Sequence, residues 1–377
     1  MSLVVKAVET LRDRDLFLQA PFTVFAGDPA WVPPLFFERK EHIDPKKNPY
    51  FAHAEAQLFV ALDGDKPVGR ISAQIDRLRL ERYGDATGQF GFLDAVDDRA
   101  VFARLFETAE AWLRQRGMRA AQGPFSFSIN EETGLLVEGF DTSPSIMMGH
   151  ARPYYGAHVE ALGYRKVKDV IAYEYDSRLQ PIPSVMAMVA KAKTSGTLVF
   201  RPLSKKNLKR DLGIIIDIFN DAWSDNWGFV PMTRAEIEAL GKNLNMLVNE
   251  EYVSIAEFRG EPAAMAVSLP NINDWLKDLN GRLLPFGWAK LAWRLFASPP
   301  RAIRIPLMGV RKSFRATALR AALAIGVVES LREYHRARGT FHGELSWILE
   351  DNAAMRHMIM AMGGTPYKTY RVYEKAL

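Results

Sequence analysis

Gly163, Lys168, Tyr173 and Glu174 return as Gly363, Lys368, Tyr373 and Glu374, each pair 200 residues apart in a chain of 377. Two further echoes occur in the same order. Residues 61–68 and 257–263 both read as a strand, a glycine turn and a strand that begins at proline. Arg116 and Gly117, followed by Gly123 and Ser126, match Arg338 and Gly339, followed by Gly343 and Ser346. Three ordered echoes argue for two copies of one supersecondary module, which restricts the fold more than any local propensity does. The length points the same way, since 377 residues exceed one ordinary hydrophobic core.

The second copy shows the plan of the module. An apolar run over 305–310 is short enough for a buried strand, and a basic turn over 311–315 follows it. Leu319, Leu323, Val327, Leu331 and Tyr334 then recur at helical spacing up to a stop at Arg338 and Gly339. Residues 341–349 alternate as a strand, with Glu344 and Ser346 on one face. A short helix capped at Asp351 and Asn352 runs to Gly363 and Gly364, and 367–373 form a last strand. The first copy reads similarly: a hairpin over 58–62 and 68–75, a strand at 90–93, a helix over 100–116, and a strand at 167–175. Residues 28–50, rich in Pro, Trp and Phe, read as an irregular arm. The segment 177–183 and a helix over 184–193 connect the copies.

Composition narrows the function classes. Hydrophobic residues at 48% and charged residues at 25% describe a globular chain, and a net charge of only +5 is weak support for nucleic acid. The absence of cysteine excludes disulfides, thiolate metal sites and cysteine nucleophiles. The seven histidines show no metal-ligand spacing, so no metal is expected. No leader-like or membrane-spanning apolar run is found, which makes the cytoplasm the expected location. An insertion over 276–300 interleaves aromatic and basic residues. Such a helix can lie in a membrane interface through 282–296 at the inner membrane face, act as a lid, pack on its own domain, or meet a homodimer partner.

The order strand, basic turn, long helix, strand, short helix, strand resembles the catalytic half of the GCN5-related N-acetyltransferase (GNAT) superfamily, whose members transfer acyl groups from acyl-coenzyme A to amines. The resemblance covers most of the C-terminal half and extends more faintly over the N-terminal half. It implies an α/β chain of two tandem GNAT-like domains: a degenerate copy over 1–180, a linker helix over 181–196, and a copy over 197–377 that keeps the cofactor cleft. The family turn reads Arg or Gln, two residues, Gly, one residue, then Gly or Ala. Here Arg315 takes the first position, while Ala318 and Arg320 stand at the glycine positions. A strand-turn-helix junction suits a pyrophosphate because free N–H groups and the helix dipole point at it. Acyl-coenzyme A as co-substrate is therefore placed on Val310, Arg311, Arg315, Ala316, Thr317, Ala318 and Leu319, with Asn352 matching the family asparagine. The corresponding first-copy turn, 94–99, is acidic and reads as structural.

An amine attacks a thioester only while uncharged, so a base and an oxyanion donor are needed. Glu344 is the first candidate base, with Ser346 beside it. The family's usual acid, a tyrosine in the short helix, is replaced by Ile359, which leaves water or another residue such as Tyr334 or Tyr370 to protonate the thiolate, or no catalysis at all. The loop 221–231 corresponds to the family's acceptor loop, with Asn226, Trp227 and Phe229 as substrate contacts for an apolar, lipid-like amine such as a sphingoid base. Two alternatives stay open: an aminoacyl-tRNA-dependent transferase of the Fem type, which predicts tRNA as partner, and a non-catalytic ligand-binding protein.

Overall fold

The computed structural model describes residues 3–179, 183–194, 196–244, 249–317 and 319–377. In chain order its elements are β1 (Leu3–Ala7), α1 (Leu11–Val24), α2 (Phe36–His42), β2 (Ala54–Asp63), β3 (Lys66–Asp76), α3 (Arg77–Tyr83), β4 (Thr87–Ala95), α4 (Arg99–Gln115), β5 (Ala120–Gly123), β6 (Leu135–Glu138), α5 (Tyr155–Ala161) and β7 (Arg165–Asp176). There follow α6 (Pro183–Thr194), β8 (Leu198–Pro202), α7 (Leu208–Trp223), α8 (Arg234–Leu244), β9 (Val253–Phe258), β10 (Glu261–Pro270), α9 (Asn273–Leu276), α10 (Gly287–Ala297), β11 (Ala302–Val310), α11 (Leu319–Ala337), β12 (His342–Leu349), α12 (Ala353–Ala361) and β13 (Thr365–Ala376).

The chain forms two compact units whose limits are not linear in sequence. Unit one comprises Met1–Val170, Trp275–Trp288 and Lys368–Leu377; unit two comprises Ile171–Asp274 and Ala289–Tyr367. The units do not part at the expected linker 181–196, of which residues 181, 182 and 195 lie outside the described set. The cause is the fate of the two equivalent strands β7 and β13. In unit one, β13 pairs antiparallel with β5 of the first repeat, Tyr373 opposite Gly123 and Ala376 opposite Ala120. Its side chains are bound there as well: Arg371 to Asp169 at 2.9 Å, Tyr373 Oη to Glu160 at 3.0 Å, and Lys375 to Glu110 at 2.8 Å. In unit two, Tyr173 of β7 accepts from Arg356 of α12 at 3.0 Å. Each of the repeated tyrosines meets the other repeat's short helix.

Unit one carries the order β1-β2-β3-β4-β5-β13, with β6 on β13. Its core joins Phe17, Leu18, Tyr50, Leu58, Phe92 and Phe127. The arm 28–50 is more regular than expected, because α2 lies within it and stacks Phe36 on Phe22 at 5.0 Å. The acidic first-copy turn is structural: Asp98 caps α4 through Ala100 N, and buried Asp94 pairs with Arg70 at 2.7 Å.

Unit two carries β7-β12-β11-β10-β9-β8. The expected stripe Leu323, Val327 and Leu331 of α11 packs on Leu198, Ala256 and Ala264. Gly326 allows that contact, since a Cβ there would stand 2.1 Å from the Phe200 ring. On the other face α7 buries Ile215, Ile218 and Phe219 against Ile255 and Met265. Gly309 of β11 lets α7 approach, its hypothetical Cβ lying 3.2 Å from Ala222. Asn352 caps α12, accepting from Met355 N at 3.2 Å.

Candidate functional site

β11 pairs along its length with β10, from Pro270 opposite Ile303 to Ala264 opposite Val310. Its parallel pairing with β12 is shorter, running from Ala302 opposite His342 to Ile305 opposite Leu345. Pro306 comes next and has no N–H to add to a ladder. Beyond that point no register pair joins 306–310 to 346–349 among the described residues, so the ladder stops and leaves a wedge between strand ends that share no register. The first repeat differs. There Phe125 N continues past β5 to bond Phe90 O at 2.7 Å, and the Phe125 carbonyl lies where a Cβ on Gly91 would stand, 1.6 Å away. The corresponding place in the first copy is filled by this backbone.

A buried polar cluster lies at the root of the wedge. Arg304, fully buried, donates from Nε to Ser346 Oγ at 2.9 Å and stands 3.5 Å from Glu344 Oε1. Ser346 Oγ donates to Glu344 Oε1 at 2.6 Å, and Tyr367 Oη donates to Glu344 Oε2. The Arg304 guanidinium also sits over the Trp347 ring, 4.8 Å from its centroid. This revises the expected roles. Glu344 is buried, with both oxygens engaged and a guanidinium as counter-charge, not a carboxylate held ready as a base. Ser346 bridges Arg304 and Glu344. Tyr370 is a unit-one residue, fully buried and opposite Leu136 of β6; the β13 tyrosine that meets Glu344 is Tyr367. Tyr334 accepts from Asn249 at 3.2 Å toward the far end of α11, and Ile359 packs with Tyr173 and Leu345.

The basic turn between β11 and α11 offers charge through side chains more than through backbone. The N–H groups of Phe314, Arg315 and Thr317 close local turns on Arg311, Lys312 and Phe314, and Lys312 N donates to Asp221 at 2.7 Å. These N–H groups are engaged because, without glycines, the segment winds into a short 3₁₀ helix at Lys312–Phe314. Arg311 turns away to Pro262 O at 2.8 Å. Ala316 and Thr317 are exposed, Thr317 Oγ1 bonding Phe314 O at 2.9 Å; Leu319 packs against the α11 core; Ala318 lies outside the described residues. Val310 ends β11 opposite Ala264. Two cations remain at the mouth of the turn, Lys312 and Arg315, and both grip one carboxylate: Asp225 receives Lys312 Nζ and Arg315 Nη1 at 2.6 Å each. Lys312 foremost, and Arg315 with it, hold the Asp225 carboxyl below its usual range. A site that gathers two cations on one exposed anion fits a phosphate-bearing group. Asn352 is committed to its helix cap instead.

The start of the expected acceptor loop 221–231 reaches the wedge through Trp223, the last residue of α7. Trp223 Nε1 donates at 3.0 Å to Met308 O, in the part of β11 beyond its last β12 pair. Asn226 N bonds Trp223 O at 2.8 Å, and Asn226 and Trp227 are half-buried. Phe229, expected to contact substrate, is buried against Phe219, ring centroids 5.7 Å apart. The roles of Arg304 and Tyr367 were missed, and they carry one usable signal, an arginine inside an otherwise apolar strand pattern; Trp223 and Asp225 fall within the expected loop 221–231. A mainly apolar cavity of about 740 Å³, open mouth included, lies elsewhere, between α11 and the starts of β11 and β12 near Ile303, Ile325 and Phe341. The wedge is the better candidate, since it runs from the polar cluster at its root toward the cations that follow β11. Among the described residues, no group of three His, Asp or Glu could hold a metal ion, and no helix is long and apolar enough to cross a membrane.

No family model matches the sequence. The chain is 46% identical over 376 residues to the bacterial ceramide synthase of Caulobacter vibrioides (strain NA1000 / CB15N), covering 100% of this chain and 98% of that protein. It is 44% identical over 375 residues to protein YghO of Escherichia coli (strain K12), covering 99% and 95%. In fold it is similar to a tandem GNAT protein from the clavulanic acid biosynthesis pathway, with a TM-score of 0.56 at 13% identity over 100% of this chain and 98% of the other.

Proposed function

From the premise that the chain belongs to the family of the Caulobacter bacterial ceramide synthase, has the tandem GNAT fold and is an acyltransferase, we propose that it moves an acyl group from acyl-coenzyme A to the primary amine of a lipid, in the first instance a sphingoid base. The observation that carries this reading is the wedge between β11 and β12 beside the paired cations Lys312 and Arg315. Lys312 and Arg315 would hold the pyrophosphate, exchanging the Asp225 carboxylate for it. The separated edge of β11 from Leu307 to Val310 would receive the pantetheine arm, with the Trp223 indole beside it at Met308 O. Acyl-coenzyme A supplies the activated acyl group as a thioester. Arg304, Glu344 and Ser346 orient the Tyr367 phenol, which makes Tyr367 Oη the hydroxyl whose proton the cluster positions.

The chemistry is an amide bond made with release of the coenzyme A thiol. A chain without cysteine adds no thiol background, so thiol release can be followed directly in the presence of protein. Long-chain acyl-coenzyme A with sphinganine is expected to release thiol and yield the N-acyl product by mass spectrometry. No thiol release with acetyl or long-chain donors, together with no donor binding in calorimetry, would remove this reading. No specific observation favours the aminoacyl-tRNA-dependent alternative.

A further inference from the structure

Large apolar side chains exposed to solvent occur singly along most of the described chain, but five fall within thirteen residues: Leu284, Phe286, Trp288, Trp293 and Phe296, between 58% and 90% exposed. Three of them belong to α10, none of whose residues is buried. At about 100° per residue, Trp288, Phe296 and Trp293 share one arc of the helix, and Lys290 and Arg294 lie beside it. From 282 to 301 the sequence holds Arg282, Lys290, Arg294 and Arg301 and no acidic residue.

We propose that residues 282–297 form a docking surface for the headgroup region of an anionic lipid bilayer. Two tryptophans and a phenylalanine on one helix face suit the boundary between headgroups and acyl chains, where an indole keeps its ring in an apolar phase and its N–H in a polar one. The surrounding cations complement anionic headgroups. A second copy of this chain is the less favourable occupant, because a symmetric contact would set the four cations of this stretch against four more. The proposal extends the lipid-acceptor reading by naming the surface from which a lipid amine would be drawn, and its physics is independent of catalysis.

The test is vesicle flotation of the full chain, without donor or acceptor, so that its outcome stands whether or not acyl transfer is found. The parent is expected to float with vesicles of phosphatidylcholine and phosphatidylglycerol in equal parts, and less with phosphatidylcholine alone. Trp288→Ser/Trp293→Ser/Phe296→Ser should lower the bound fraction roughly tenfold or more with an unchanged melting midpoint, since the side chains removed are exposed. Arg282→Gln/Lys290→Gln should erase the preference for anionic vesicles. A parent that does not float, or a triple variant that floats equally well, overturns the proposal. So does a dimer in sedimentation that the triple variant splits, which would assign the face to a second copy.

Discussion

Replacing Glu344 by Gln keeps the size and the acceptor oxygen of the side chain while removing its charge, which isolates what the charge does. Arg304 is fully buried, and its charge faces Glu344 Oε1 at 3.5 Å with Ser346 Oγ at 2.9 Å. At that separation an effective dielectric near 20 gives an attraction of about 5 kcal/mol. Losing one partner of a buried pair typically costs about 3–5 kcal/mol, because the remaining ion stays out of water uncompensated. Glu344→Gln should therefore destabilise unit two by about 3–5 kcal/mol, a large part of the roughly 5–15 kcal/mol available to a folded domain. Removing the stranded charge as well, in Arg304→Gln/Glu344→Gln, should recover much of that loss. The measurement is a double-mutant cycle from urea unfolding followed by circular dichroism. A shift under about 1 kcal/mol for Glu344→Gln, or strictly additive single changes, would refute the ion-pair account. Lost turnover at full stability would instead return Glu344 to the role of base.

Three other outcomes are expected. Asp225→Asn frees Lys312 and Arg315 from a competing carboxylate, so acyl-coenzyme A affinity by calorimetry should rise roughly two- to fivefold, whereas Lys312→Ala/Arg315→Ala should lower it, most at low salt. Burial first, and Arg338 second, lower His335 from 6.5 to about 4. Above pH 6.5 the ring is neutral in both states; between 6.5 and 4 only the unfolded chain takes up the proton, so stability falls by up to about 3 kcal/mol. His335→Gln should remove that share of the acid sensitivity in urea midpoints compared at pH 7 and 4.5, and equal losses in parent and variant would contradict it. Gly91→Ala would place a Cβ 1.6 Å from the Phe125 carbonyl, a backbone clash that no rotamer relieves, and should cost unit one about 3 kcal/mol or more by thermal midpoint.

Much of the second copy was legible because its signals are local. Helical spacing of Leu323, Val327 and Leu331, the Asn352 cap, and the stop before Gly339 each depend on neighbours within a turn or two. The acidic first-copy turn was legible as structural for the same reason, Asp98 being a helix cap. The site was less so. Arg304 and Glu344 face one another through strand register, and Asp225 meets Arg315 across 90 residues of chain, so no local pattern marks either pair. Phe229 and the aromatics of α10 have similar composition, yet one is buried and the others are exposed. An amphipathic pattern tells that a face is apolar, not what covers it.

By itself the sequence determined the elements, their order, and that the order occurs twice. Which strands each last strand pairs with was decided only in three dimensions. β7 and β13 carry the same lysine, tyrosine and glutamate at matching positions and offer the same backbone donors and acceptors, so either would suit the edge left by its own module. Strand pairing is read by backbone hydrogen bonds that do not distinguish two such edges. Contacts far away in the chain, Arg371 on Asp169 and Arg356 on Tyr173, fix the exchanged arrangement, and they exist only once both copies have folded.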